Sequence, residues 1–431
     1  MVGSFIGRVF GLAKSESAKD TYILFAGNLV SAFFGFVFTL ITARALSVED
    51  FGILSAITNL IIIISSFTDL GISSGLVNFV ARAFGRGDET KVREYSKASF
   101  IMRLLALLPI ILLLFVFAKF VSIKWLATSD PSASYWVGLI SLVGIFWVFL
   151  PNILQAKKKF LQSISIDISF SFLKAAITYL VFLAGLLTVN TTLAAFAFSA
   201  AVAGGFGLWF VGTKFLWAKP SKKRYLDLIK FSSWIGVNRI ISSISGKLDV
   251  QMLAAIAGAT VTGFYSIPSR VASFIIVLYS SFSAVLAPRF AAFSDKDSER
   301  RYLIKATLAL IPLVGGILLW IIIAKPFIVI LFGSKYLPSV GVFQALAAAL
   351  IPFMISAPPV AAITYGMKKT VYIGLFSFFQ IIAIFVLNYI FIPLYGPFGP
   401  TIAFAVVYGV LAIYSWVIVI RHYWGAQLKN S

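Results

Sequence analysis

Stretches of about 20 apolar residues, the length that crosses a hydrocarbon core, recur from one end of the chain to the other, separated by short polar connections. The pattern predicts twelve membrane-spanning helices, at roughly 22–43, 51–78, 100–120, 136–155, 161–187, 193–211, 231–256, 261–286, 306–331, 340–362, 371–394 and 398–420. Residues 1–19 lack a long apolar core and carry Arg8, Lys14 and Lys19 ahead of a full-length span, so no cleavable signal peptide is expected.

Composition changes the picture only by sharpening it. The 431 residues are 60% hydrophobic and 12% charged, with a mean hydropathy of +0.98, which places the chain among polytopic membrane proteins. With no cysteine, it has no disulfide framework, thiolate metal site or cysteine nucleophile. Its single histidine, His422, lies past the last apolar run, so histidine-centred catalysis is not expected. A net charge of +21 would suit nucleic acid only on a folded basic module, and no stretch is long and polar enough to make one.

The charge instead follows topology. Basic residues crowd alternate connections: Arg8 to Lys19, Arg82 to Lys97, Lys157 to Lys159, Lys214 to Lys230, Arg289 to Lys305, Lys368 with Lys369, and Arg421 with Lys429. The other connections hold only Arg44, Lys119, Lys124, Lys325 and Lys335. By the positive-inside rule both termini are expected in the cytoplasm, in a multi-pass protein of the cell membrane. The longest basic connection carries Pro220 and the run Lys222, Lys223, Arg224. It divides the chain into an N-terminal lobe at 1–213, a linker at 214–230 and a C-terminal lobe at 231–431. Tyr225 to Ile229 reads as an amphipathic piece on the cytoplasmic surface, or as part of a solvated loop whose charges fix topology.

A weak repeat supports the division. Ala45 to Ser55, between spans one and two, resembles Ile256 to Ser266, between spans seven and eight, with Gly52 and Gly263 in equivalent places. Both copies keep the same orientation, so the two halves would be related by an axis along the membrane normal.

Ionisable residues inside apolar spans are costly in lipid and mark interiors or watery cavities. Here they are Asp69, Asp167, Lys174, Arg239, Lys247, Asp249 and Arg270. Their basic bias suits an anionic substrate, because Arg offers phosphate a planar fork and Lys a mobile point charge. Lys247 and Asp249, two apart, point to opposite edges of their helix and need partners elsewhere. Asp167 and Lys174 share a face about 10 Å apart, bridged through Ser171 or paired structurally with other helices. Asp69 could cap a helix break before Gly71. On span one, Asn28, Ser31, Gly35, Thr39 and Thr42 form a small polar stripe that should face the bundle or serve close packing. On span eight, Ser266, Arg270, Ser273, Ser280 and Ser281 cluster on one side.

At this point the residues resemble a known family. Ala43-Arg44-Ala45-Leu46-Ser47 with Phe51-Gly52, then Asp69-Leu70-Gly71 and Ala81-Arg82, look like the N-terminal signature of Wzx-type polysaccharide flippases. These form a branch of the multidrug/oligosaccharidyl-lipid/polysaccharide (MOP) exporter superfamily. Gly263-Phe264-Tyr265-Ser266 leading to Arg270 is similar to the matching helix of that superfamily, where a cavity arginine stands. The resemblance implies an all-α protein of two six-helix lobes forming a V around a central cavity. It also implies alternating access that carries a polyprenyl-(pyro)phosphate-linked oligosaccharide from the cytoplasmic to the outer leaflet. Arg270, Arg239 and Lys247 would hold the pyrophosphate, with Lys174 and Asn28 lining the cavity. Asp249, Asp69 or Asp167 would couple the cycle to protons or sodium, with no other cofactor and no metal. Besides the lipid-linked oligosaccharide and membrane lipid, glycan-assembly proteins are the expected partners.

Span one has Asn28 where drug antiporters of the superfamily often carry an acid, and the two extra C-terminal helices usual in lipid II flippases are missing. Both departures favour the polysaccharide branch over a MATE-like small-molecule antiporter. An integral-membrane glycosyltransferase, ligase or polymerase would need long outer loops with catalytic carboxylates. The outer loops here are short, and their acids are Glu49, Asp50 and Asp130.

Overall fold

The structure, a computed structural model, describes residues 16–425, with side chains described from residue 19 except at 234–235 and 237–244. Among the described residues every regular element is a helix. The first is α1, Glu16–Ala45. Ser47 then caps α2, Val48–Asp69, its hydroxyl accepting from the Asp50 amide at 3.0 Å. Two successive residues in the left-handed region, Leu70 and Gly71, stop α2 and start α3, Ile72–Gly85. After α3 come α4 (Glu89–Val116), the short α5 (Ala118–Trp125), α6 (Ser132–Ala156), α7 (Phe160–Leu183) and α8 (Val189–Val211). A capping box between Thr188 and Thr191 opens α8. A single 3-10 turn, Lys214–Trp217, leads into α9, Lys222–Ser245.

Beyond Gly246 and Lys247 follow α10 (Leu248–Ala257), α11 (Ala259–Ala292), α12 (Lys296–Leu308), α13 (Ile311–Ile322) and α14 (Ala324–Phe332). A 3-10 turn at Ser334–Tyr336 precedes α15 (Pro338–Ala361), which runs into a π turn at Ala362–Gly366 just after Pro358 and Pro359. The last two helices are α16 (Thr370–Tyr395) and α17 (Gly399–Tyr423).

Among the described residues, ten stretches are long and apolar enough to cross a membrane. One of them, Thr370–Tyr423, is 54 residues long and holds both α16 and α17. The expected seventh span, outside those ten, corresponds to α9 with α10. The twelve crossings read from the pattern therefore stand. Many side chains on their outer faces are large and apolar: Leu105, Leu108 and Leu112 on α4, and Leu375, Phe379 and Leu394 on α16, are all exposed. A continuous exposed apolar surface of this kind faces hydrocarbon.

The structure departs from the sequence reading by breaks in four spans. Span two divides at Leu70–Gly71, span three at Phe117 between α4 and α5, span seven at Gly246–Lys247, and span nine into the end of α12, α13 and α14. Tyr225 to Ile229, expected as an amphipathic piece or part of a solvated loop, is helical. It belongs to the first turns of α9, where Arg224 Nε pairs with Glu94 at 2.7 Å and Tyr95 donates its hydroxyl to Asp227 at 2.8 Å.

The helices group into two compact units, one ending at Lys247 and one beginning at Leu248. In the first, α1 packs on α7, and α6 packs on α8, α3 and α4. Its core joins Leu76 and Val80, Val92, Phe149 and Ile153, Phe215, and Leu228 from α9. In the second, α15 packs on α11 and α17, and α10 on α11 and α16. Leu286, Phe290, Leu303, Ala362 and Val419 form a core at one end. The repeat aligns on its caps: Ser47 and Gly258 occupy the N-cap positions of α2 and α11, and Gly52 and Gly263 are both buried one turn further on.

Candidate functional site

In the first unit Asp69 is the last residue of α2. Its Oδ1 accepts from the Ser73 amide at 3.1 Å and from the Ser73 hydroxyl at 2.7 Å, which caps α3 across the break. Arg103 of α4 pairs with the same carboxylate and donates to Ser73, while its guanidinium lies 5.5 Å from the Phe149 ring centre. Arg103 is 2% exposed and Asp69 6%. The cluster is a buried ion pair that closes a helix break, the capping reading of Asp69 extended by a partner on another helix. Arg103 escaped selection because span three was expected to begin near Phe100, which puts it one turn from the membrane edge. The helix begins at Glu89, so Arg103 lies about 21 Å along it and stays inside.

The break is also where α9 crosses. A Cβ on Gly71 would lie 2.6 Å from the Gly236 nitrogen and 2.8 Å from the Ser232 oxygen. Only glycine permits that approach, and Gly71 has φ +73° as well.

Lys174 and Asp167 of α7 have separate surroundings. The Lys174 ammonium sits 4.6, 4.7 and 5.0 Å from the ring centres of Phe38, Phe170 and Phe196, drawn from α1, α7 and α8. Asp167 accepts from the indole of Trp147 at 3.1 Å, and Trp147 stacks on Phe170 at 3.7 Å. The lysine is thus held in an aromatic box, where cation–π attraction replaces part of its lost hydration. Single-sequence reading had no means of finding Trp147, because the box is assembled from four helices.

The polar stripe of α1 splits. Thr39 and Thr42 are buried with their hydroxyls on the carbonyls of Gly35 and Phe38, at 3.0 and 2.8 Å, whereas Asn28 is exposed. Next to Asn28, Gly27 leaves no room for a Cβ against Ile164 of α7. Close packing accounts for much of the stripe, and only its Asn28 end lies open.

Lys247 stands at the break between α9 and α10, and its carbonyl accepts from the Asn59 amide of α2 at 2.8 Å. By the register of the repeat, Asn59 is the first-half counterpart of Arg270. The side chain of Arg239 lies outside the described residues.

In the second unit Asp249 of α10 is 3% exposed and accepts from the Tyr265 hydroxyl of α11 at 2.7 Å. Arg270 follows on α11 about 7.5 Å further along the axis. It is half-buried and within electrostatic reach of the buried Tyr336. The hydroxyls of Ser266, Ser273 and Ser280 donate to backbone carbonyls of their own helix. They leave lone pairs, not free donors, on that side. Tyr279, Phe353 and Tyr408 stack in series from α11 through α15 to α17. Each unit therefore contributes a carboxylate bound to an aromatic donor, Asp167 to Trp147 and Asp249 to Tyr265, with a cationic side chain on the same helix or the next.

Residues 17–294, from α1 through α11, match the polysaccharide biosynthesis protein family. The chain belongs to that family. An uncharacterized membrane protein in the cps region of Klebsiella pneumoniae is 23% identical over 428 residues, 95% of this chain and 83% of that protein. Among solved structures, an inward-facing multidrug resistance MATE family transporter of the MOP superfamily superposes with a TM-score of 0.74. It is 14% identical over 92% of this chain and 95% of that one. Lipid II flippase MurJ in an inward closed conformation gives 0.70 at 16% identity, over 92% of this chain and 87% of that one. At these identities the structures establish the shared all-α fold. The family match and the run of apolar helices make this a multi-pass membrane protein of the polysaccharide biosynthesis family.

Proposed function

We propose that the protein carries a polyprenyl-(pyro)phosphate-linked oligosaccharide from the cytoplasmic to the outer leaflet by alternating access, with both termini in the cytoplasm. Dragging a sugar-pyrophosphate head through about 30 Å of hydrocarbon would strip its hydration at a cost of many kcal/mol. A cavity lined by cations and hydroxyls removes most of that barrier while the polyprenyl tail stays in lipid. The observation that carries the reading is Arg270, a half-buried guanidinium inside an apolar helix of a polysaccharide biosynthesis family member. Ionisable side chains kept inside membrane helices mark substrate pathways and watery cavities. Arg239 and Lys247 would join it on the pyrophosphate, and Lys174 and Asn28 would line the N-terminal lobe. Asp249, Asp69 and Asp167 are the candidates for proton or sodium coupling. Asp249 accepts from the Tyr265 hydroxyl and Asp167 from the Trp147 indole. Glycan-assembly proteins would supply and consume the cargo.

The test is leaflet-resolved translocation of a lipid-linked oligosaccharide in reconstituted vesicles. Arg270→Gln should slow translocation by at least about tenfold, the loss of one charge-assisted contact to phosphate, and Arg270→Lys should recover part of it. Unchanged rates in the Gln variant would overturn the proposal.

A further inference from the structure

Away from these residues, α12 and α17 enclose an apolar groove of about 300 Å³, lined chiefly by Ile304, Thr307, Leu308, Trp416, Ile420 and Trp424. From Trp416 to Trp424 it runs about 12 Å along α17, close to the roughly 15 Å depth of one leaflet's hydrocarbon. Its mouth is basic. At about 100° per residue, Lys296 and Arg300 fall on the same face of α12 as Ile304 and Leu308. The Arg300 guanidinium lies over the Trp424 ring at 4.7 Å, which fixes its plane and leaves N–H groups at its edge. Arg301, Lys305 and Arg421 are exposed close by in sequence. Of the acids on α12, Glu299 is buried and accepts from the Tyr423 hydroxyl, and Asp297 is exposed.

We propose that this groove binds one acyl chain of an anionic membrane phospholipid, with the lipid phosphate at Lys296 and Arg300. The reasons are the coincidence of a chain-shaped apolar slot with a cationic mouth on one helix face, and the two tryptophans, whose amphipathic rings suit the depth at which chain meets headgroup. Basic pockets between membrane helices recognise anionic headgroups by this charge complementarity. The site is independent of the cargo, and it would tie activity to the anionic lipid content of the membrane.

Native mass spectrometry of the full-length protein, offered phosphatidylglycerol or phosphatidylcholine of matched chains, tests it. One phosphatidylglycerol should be retained roughly tenfold over phosphatidylcholine, the order expected from two cations near a lipid phosphate. Lys296→Gln with Arg300→Gln should bring the two lipids to parity. Leu308→Trp, an exposed position that fills the slot, should lower retention of both. Equal retention by the unaltered protein, or a preference that survives the charge substitutions, would overturn the proposal. So would displacement of phosphatidylglycerol by equimolar polyprenyl phosphate, which would assign the groove to the cargo's tail.

Discussion

Asp69, Ser73 and Arg103 show how one residue's position inverts the meaning of its charge. A guanidinium 2% exposed must be matched, and a carboxylate that also accepts two donors from Ser73 matches it. Removing one member takes from the other its ion-pair partner in a buried setting. Arg103→Met is therefore expected to destabilise the protein by about 3–5 kcal/mol, and Asp69→Asn with Arg103→Met together by less than the sum of the single changes. Thermal unfolding in detergent measures both. Strict additivity would mean that the two do not act as a pair. The depth rule that singled out Asp69, Asp167, Lys174, Lys247, Asp249 and Arg270 from the sequence applies equally to Arg103, which a span begun at Phe100 disguised as an edge residue. Aromatic partners were the illegible half: Trp147, Phe38 and Tyr265 look like ordinary membrane-core residues until another helix brings a charge to them.

Helices, as elements, were read well in number and poorly in continuity. Hydropathy averages over a window, and a break of two residues such as Leu70–Gly71 or Gly246–Lys247 leaves the average untouched. What betrays the first break is chemistry: an acid, two left-handed residues, and a glycine pressed against the backbone of α9. Gly71→Ala would place a Cβ in a left-handed residue and within 2.6 Å of the Gly236 nitrogen. A loss of about 2–4 kcal/mol is expected, from the conformational penalty and from overpacking. Gly35→Ala, where a Cβ meets nothing within 4 Å, should leave the melting temperature unchanged or raise it. If both substitutions were equally harmless, the crossing of α9 over this break would be wrong.

At the scale of the whole chain, the alternation of basic connections is the feature most directly open to test, because the protein contains no cysteine. Single cysteines placed at 158, 219, 294 and 369 should react with a membrane-impermeant thiol reagent only from the cytoplasmic side, and those at 130 and 335 only from the outside. Any reversal within this series would remove a crossing or add one. The division into two halves was legible through the caps of the repeat, which depend on local backbone geometry. The place where one unit gives way to the next was not, since composition points to the charged 214–230 stretch. Leu228, on the far side of that stretch, is nonetheless part of the first core. The chain leaves the first unit at Gly246 and Lys247, two residues outside any helix, where the Lys247 carbonyl accepts from the carboxamide of Asn59. In hydrocarbon, interrupting a helix normally strands polar groups; here the interruption already exists and one side chain clasps it. A carboxamide donor at the interruption supplies what hydrocarbon cannot, so the chain turns there without stranding that carbonyl.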